Sequence, residues 1–193
     1  MKEKYGRLDG MHFPMTCSSR RLTYSVLINN AAQNSFFDKE KPVKQIYADT
    51  FAINVTAVVI VTDTFLPLLR ASKTPTVINV SSAAGSITRQ WGQAKARGPG
   101  QMAYFTSKSA LNAMTIGMMN NELQNQEEER VKYYLTCPGF VTTGFNGFME
   151  GGKTPLEGAE VIIRLLEGKK EYEAGRFWQC EDRVGGEMII LNW

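Results

Sequence analysis

Thr76-Val77-Ile78-Asn79-Val80-Ser81-Ser82-Ala83-Ala84-Gly85 is the stretch on which the fold turns. Its apolar part lacks clean alternation, as a strand buried on both faces should, and the small polar residues that follow read as the turn that stops it. The strand is expected over Thr76–Ser82. Working outward, Val26–Ala32 and Val131–Pro138 have the same character, and Gly175–Cys180 is a fourth short run. Between these runs, Gln45–Arg70 and Gln101–Asn125 carry apolar residues at helical spacing. Pro67 is expected to kink or end the first of the two helices. Thr154-Pro155-Leu156-Glu157 opens a third, with a capping threonine, a proline at the first helical position and a glutamate that completes a capping box. Alternating strands and helices predict an α/β fold, a parallel sheet covered by helices.

Composition narrows the function. With 193 residues, 43% of them hydrophobic and 21% charged, the chain has the balance of one ordinary globular domain. A net charge of +3 without a clustered basic face argues against nucleic-acid binding. Cys17, Cys137 and Cys180 have no metal-ligand spacing and read as small buried hydrophobes in a reducing compartment, hence a cytoplasmic protein. The charged start Met1–Gly10 has no apolar run behind it and does not read as a secretion signal. Ala52–Leu69 is interrupted by Asn54, Thr56, Thr62, Asp63 and Thr64, which is too polar for a lipid span, so no membrane is expected.

The chemistry sits around Tyr104-Phe105-Thr106-Ser107-Lys108, which puts a phenol and an ammonium one helical turn apart on one face. Such a pair is common on solvated surfaces; its company gives it weight. The strand end at Ser81-Ser82-Ala83-Ala84-Gly85, the run Asn29-Asn30-Ala31-Ala32, Asn54 and the turn Pro138-Gly139-Phe140-Val141-Thr142-Thr143 occur in an order that resembles the short-chain dehydrogenase/reductase family. The segments Lys153–Glu160 and Gly175–Trp178, and the final Trp193, are similar to its carbonyl-reductase branch. The resemblance implies a Rossmann-type doubly wound parallel sheet and interconversion of a ketone, aldehyde or quinone with an alcohol. Reducing a carbonyl needs hydride at carbon and a proton or strong donor at the developing alkoxide. Tyr104 is then the acid/base, Ser82 polarises the carbonyl, Lys108 lowers the phenol's pKa and Asn54 supports the proton relay. Ser81 would face the other side of the strand. The cofactor contacts implied are Asn29, Ala31, Tyr104, Lys108, Pro138, Gly139, Val141 and Thr143, with NADP(H) in preference to NAD(H) and no metal. The partner is a small-molecule carbonyl or alcohol, in a homo-oligomer paired through helices 45–70 and 101–125. Gly144–Gly152 reads as a mobile substrate lid.

The sequence departs from this family in two ways. No glycine-rich turn occurs near the N-terminus, so the first strands and the phosphate cradle are read as missing, the sheet as partial and cofactor binding as weakened. Gly10–Ser25, which holds the single histidine His12, interrupts the joint between Leu8-Asp9 and Val26 and reads as an insertion of the kind a translated intron leaves. The rival reading is a truncated, non-catalytic remnant acting only as an interaction module.

Overall fold

The computed structural model describes residues 25–168, 171–181 and 185–193. Five strands form one sheet in the order β1 (Val26–Asn29), β2 (Thr76–Val80), β3 (Lys132–Cys137), β4 (Phe177–Cys180) and β5 (Met188–Ile190). The first four are parallel, and β5 returns antiparallel on β4. The α/β, Rossmann-like architecture expected from the sequence is the one observed. The insertion at Gly10–Ser25 lies outside the described residues apart from Ser25, whose carbonyl accepts from the Thr76 N–H as β1 begins. Cys17 and His12 lie outside them too.

The central strands are sealed from both sides. Val77 and Tyr133 point to a layer made by α2 (Ala57–Arg70) and α4 (Pro99–Glu122), where Leu69, Leu66, Met118 and Met119 pack. Ile78 and Tyr134 point the other way, against Val161 and Leu165 of α5 (Pro155–Glu167). Period-two side-chain direction divides one run of apolar residues between two helix layers, which is why β2 reads as continuously hydrophobic. All five of its residues are buried. Among the described residues nothing pairs with the outer edge of β1, and Ile28 is 41% exposed there.

Helix α5 starts as its sequence requires. The Thr154 Oγ1 accepts from the Glu157 N–H at 3.3 Å, and the Glu157 carboxylate accepts from the Thr154 N–H at 2.6 Å, with Pro155 at the first helical position.

The structure adjusts several boundaries. The first strand stops at Asn29, whose partner on β2 is Asn79. Gly175, at φ +77°, keeps the fourth strand from starting before Phe177. Strand β5 has three residues, too few to show a pattern. Pro67 sits inside α2 without ending it. The irregularity in the first long helix comes earlier. Between α1 (Val43–Phe51) and α2, Ala52–Thr56 forms a π-helical turn. By length and composition the whole helix, 28 residues with mean hydropathy 1.8 in its most apolar window, could cross a membrane, contrary to the expectation from its polar residues. Here it lies on the sheet through Leu69 and Thr62. A four-residue helix, α3 (Ile87–Gln90), follows the turn after β2.

Candidate active site

The carboxyl ends of β1, β2 and β3 and one face of α4 converge on Tyr104. Such a place, outside the carboxyl ends of parallel strands, is where α/β sheets gather ligand-binding loops. Ser82 leaves β2 in an extended conformation and accepts from the Ala84 N–H at 3.2 Å, opening a short 3-10 turn over Ala83–Gly85. Gly85 then packs on α4 so closely that a Cβ would lie 2.7 Å from the carbonyl carbon of Lys108. Only glycine lets the turn and the helix backbone meet at this distance. That contact fixes Ser82 relative to Tyr104 and Lys108, and sets the Ser82 hydroxyl close enough to the phenol to act on its pKa. Ser81 points elsewhere, as strand alternation requires: its hydroxyl donates to Asn112 Oδ1 at 2.5 Å, inside the protein.

Tyr104 is 8% exposed. Its ring is met edge-on by Phe36 at 5.3 Å and at a tilt by Phe145 at 5.6 Å. Phe145 belongs to the segment read as a lid, and its carbonyl accepts from the Asn34 Nδ2 at 2.7 Å. Two loops thus close over the phenol; the segment holding Phe145 was expected to cover the site, whereas Phe36 lies in no motif. Burial pushes the Tyr104 hydroxyl up to about 12, partly opposed by the neighbouring Ser82 side chain. At neutral pH it is a proton donor.

Lys108 is 2% exposed. Its Nζ lies 5.8 Å from the Tyr104 ring centroid and donates to the Val80 carbonyl at 2.8 Å. Burial lowers its pKa to about 8. The expected lowering of the phenol's pKa by Lys108 is not what sets Tyr104 here; burial and then Ser82 do. A lysine whose folded pKa is depressed binds fewer protons than it does unfolded between about pH 8 and the ordinary value of 10.5. Stability tied to Lys108 is therefore fully present above the unfolded value and is lost as pH falls through the folded one. In urea unfolding, the stability of the wild-type chain relative to Lys108→Met is expected to rise from pH 7.5 to about 10. A pH-independent difference would show that the ammonium is not desolvated.

Asn54 is fully buried within the π turn. Its Oδ1 accepts from the Gln33 N–H at 2.7 Å, and its Nδ2 donates to the Gln33 carbonyl at 2.9 Å and to Ser107 Oγ at 2.9 Å. The side chain ties the loop after β1 to the helix bearing Tyr104 and Lys108. Asn29 acts similarly within the sheet: its Nδ2 donates to Asn79 Oδ1 at 2.8 Å and Thr62 Oγ1 at 3.1 Å, and Asn79 in turn donates to Thr115 at 2.8 Å. Its carboxamide is turned inward, so a contact to any cofactor would fall to the backbone there or to Ala31, an exposed residue just beyond the strand. Sequence reasoning missed Gln33, Ser107 and Gly85 as parts of this frame; the signal for Ser107 and Gly85 was their place inside the two motifs.

On the far side of the site, Pro138 and Gly139 end β3, with Gly139 at φ +81°. Val141 makes a parallel bridge with Lys153, and the Thr143 N–H donates to Asn146 Oδ1 at 3.2 Å. Cys137 beneath them is a buried free thiol whose pKa burial raises, and Cys180 is likewise buried, its Sγ donating to the Gly186 carbonyl at 3.5 Å. Among the described residues no group of three His, Cys, Asp or Glu side chains could hold a metal ion.

The arrangement suits a dinucleotide's nicotinamide end. Lys108 is a buried ammonium with three N–H donors and one protein acceptor, so it is built to donate to a polar group brought in beside Val80. With Tyr104 next to it, the hydroxyls of a ribose would meet that need.

A family model described as short chain dehydrogenase matches residues 16–151. A short-chain dehydrogenase/reductase of Aspergillus fumigatus is 30% identical over 208 aligned positions, covering 100% of this chain and 69% of that protein. The short-chain dehydrogenase anuI of Penicillium roqueforti is 35% identical, again over 100% of this chain and 69% of the relative. Among solved structures, the NADPH-bound carbonyl reductase from chicken fatty liver superposes with a TM-score of 0.64 at 24% identity, over 89% of this chain and 66% of that one.

Proposed function

Because the chain belongs to the short-chain dehydrogenase family, and so to a family of oxidoreductases, we propose that its reaction is the reduction of a ketone, aldehyde or quinone to an alcohol with a nicotinamide dinucleotide, NADPH in preference to NADH. The observation that carries this reading is the buried pair Tyr104 and Lys108 with the half-buried Ser82 beside them, held together by the Gly85 contact. The cofactor supplies hydride when bound. Lys108 would hold the ribose hydroxyls through its two remaining donors, and Asn29, Ala31, Pro138, Gly139, Val141 and Thr143 would border the nicotinamide. Tyr104, protonated at neutral pH, gives its proton to the oxygen of the substrate as negative charge develops there. Ser82 donates to the same oxygen and sets its distance from Tyr104. Asn54 keeps Lys108 and Tyr104 in register by fastening Ser107, one residue before Lys108, to the loop at Gln33. Phe36 and Phe145 exclude water from the phenol until substrate displaces them.

The test is a titration of the full chain with NADPH and NADH in the presence of a simple aldehyde. Saturable binding and aldehyde-dependent oxidation of the dinucleotide are expected. No binding at millimolar cofactor would leave only the reading as an interaction module. A homo-oligomer through helices 45–70 and 101–125 belongs to the same proposal; it is supported by the exposed apolar row Ile53, Ile60, Val61, Phe65 and Leu68 on the first of them.

A further inference from the structure

Beside Ser82 lies a second concavity, about 260 Å³, formed by the turn after β2, the loop that precedes α4 and the start of α4 itself. Arg89, Lys95 and Arg97 line it, and no acidic side chain does. Elsewhere in the described chain Arg70, Arg164 and Arg176 each pair with a glutamate, and Arg130 donates to the backbone carbonyls of Asn125 and Leu123. Arg89, Lys95 and Arg97 have no carboxylate partner among the described residues.

Arg97 is nevertheless held in place. Its Nη2 donates to Gln90 Oε1 at 2.5 Å and to Gln93 Oε1 at 3.1 Å, and its guanidinium lies 4.7 Å above the centre of the Phe105 ring. Gln90 and Gln93 are themselves tied down, donating to the Ala84 carbonyl at 3.2 Å and the Arg89 carbonyl at 2.6 Å. Neutral carboxamides and an aromatic face immobilise the side chain without cancelling its charge. A preorganised, uncompensated guanidinium with N–H donors to spare is a receptor for a planar oxyanion.

The concavity adjoins the reacting centre. Ala83 and Ala84, in its wall, directly follow Ser82, and Gln101 and Phe105 flank Tyr104 on α4. The Cys137 thiol lies behind this wall, its Sγ accepting from the Ala83 N–H at 3.2 Å.

We infer that this chain takes carbonyl substrates that carry a carboxylate, which the Arg97 guanidinium binds with Lys95 and Arg89 while the carbonyl lies at Ser82 and Tyr104. The inference rests on the carbonyl-reducing reading of Tyr104, and its test separates the two. Binding of 4-carboxybenzaldehyde and of 4-methylbenzaldehyde to the full chain is measured by NMR titration without cofactor, and their reduction is then measured with NADPH. The carboxylate probe is expected to bind about 10- to 100-fold more tightly than the methyl probe. Its advantage should shrink with added salt and fall at least tenfold in Arg97→Gln, with Lys95→Gln losing less. Equal binding of the two aldehydes, or an advantage that Arg97→Gln and Lys95→Gln both leave intact, would overturn the inference even if both are reduced. Tight, Arg97-dependent binding of the carboxylate with neither aldehyde reduced would uphold the pocket and reject the reductase reading.

Discussion

Tyr104→Phe is expected to lower carbonyl reduction by about 10²- to 10⁴-fold, the range a positioned general acid contributes. The substitution removes one oxygen and keeps the ring. The edge contacts with Phe36 and Phe145 at 5.3 and 5.6 Å therefore survive. So does the helix, since the hydroxyl is not part of its backbone bonding. What goes is the hydroxyl that, in the proposed reaction, gives its proton to the substrate oxygen. Removing one hydroxyl should change stability by no more than about 1 kcal/mol, a small change beside the kinetic one. Steady-state turnover beside thermal unfolding by circular dichroism separates the two effects. A variant that keeps its melting temperature and its rate would remove Tyr104 from proton transfer.

Asn54→Leu is expected to destabilise the chain by on the order of 3–5 kcal/mol. Leucine has the branching and heavy-atom count of asparagine, with more bulk and none of its polarity. The N–H and C=O of Gln33 would lose their partner together, and Ser107 would lose a donor. Each unsatisfied buried group costs about 1–3 kcal/mol, far more than the same bond would matter at the surface. Urea denaturation gives the number. A loss below about 1 kcal/mol would mean that water replaces the carboxamide and that Asn54 is not the tie between the β1 loop and α4.

What could be read from the sequence follows the range of the interaction. β2 and β3 were legible because burial on both faces leaves a run of apolar residues with no need of a partner's identity. Tyr104 and Lys108 were legible because one helical turn fixes their common face, and Ser82 was separable from Ser81 by strand alternation alone. The inward turn of Asn29 was not legible: its carboxamide is set by Asn79 and Thr62, which lie 50 and 33 residues away. The covering of Tyr104 by Phe36 and Phe145 likewise joins loops far apart in the chain. β5 escaped because three residues carry no period, and the π turn escaped because Ala-Ile-Asn-Val-Thr suits an ordinary helix equally well.

That π turn has an angular consequence. In the helix from Val43 to Arg70 the buried positions Ile46, Thr50, Asn54, Val58 and Thr62 fall at every fourth residue. At about 100° per residue a regular α-helix would carry each of these about 40° further round than the last, some ~160° in all, so the first and last would face opposite ways. The wider turn at Ala52–Thr56 takes up part of that drift, letting Ile46 and Thr62 lie toward the same interior. Asn54 stands in the middle of the correction. Removing one residue from the turn would swing everything after it through about 100° and carry Thr62 away from Asn29. The reach of Asn54 to Ser107 is thus a matter of rotational phase along one helix as much as of hydrogen bonding.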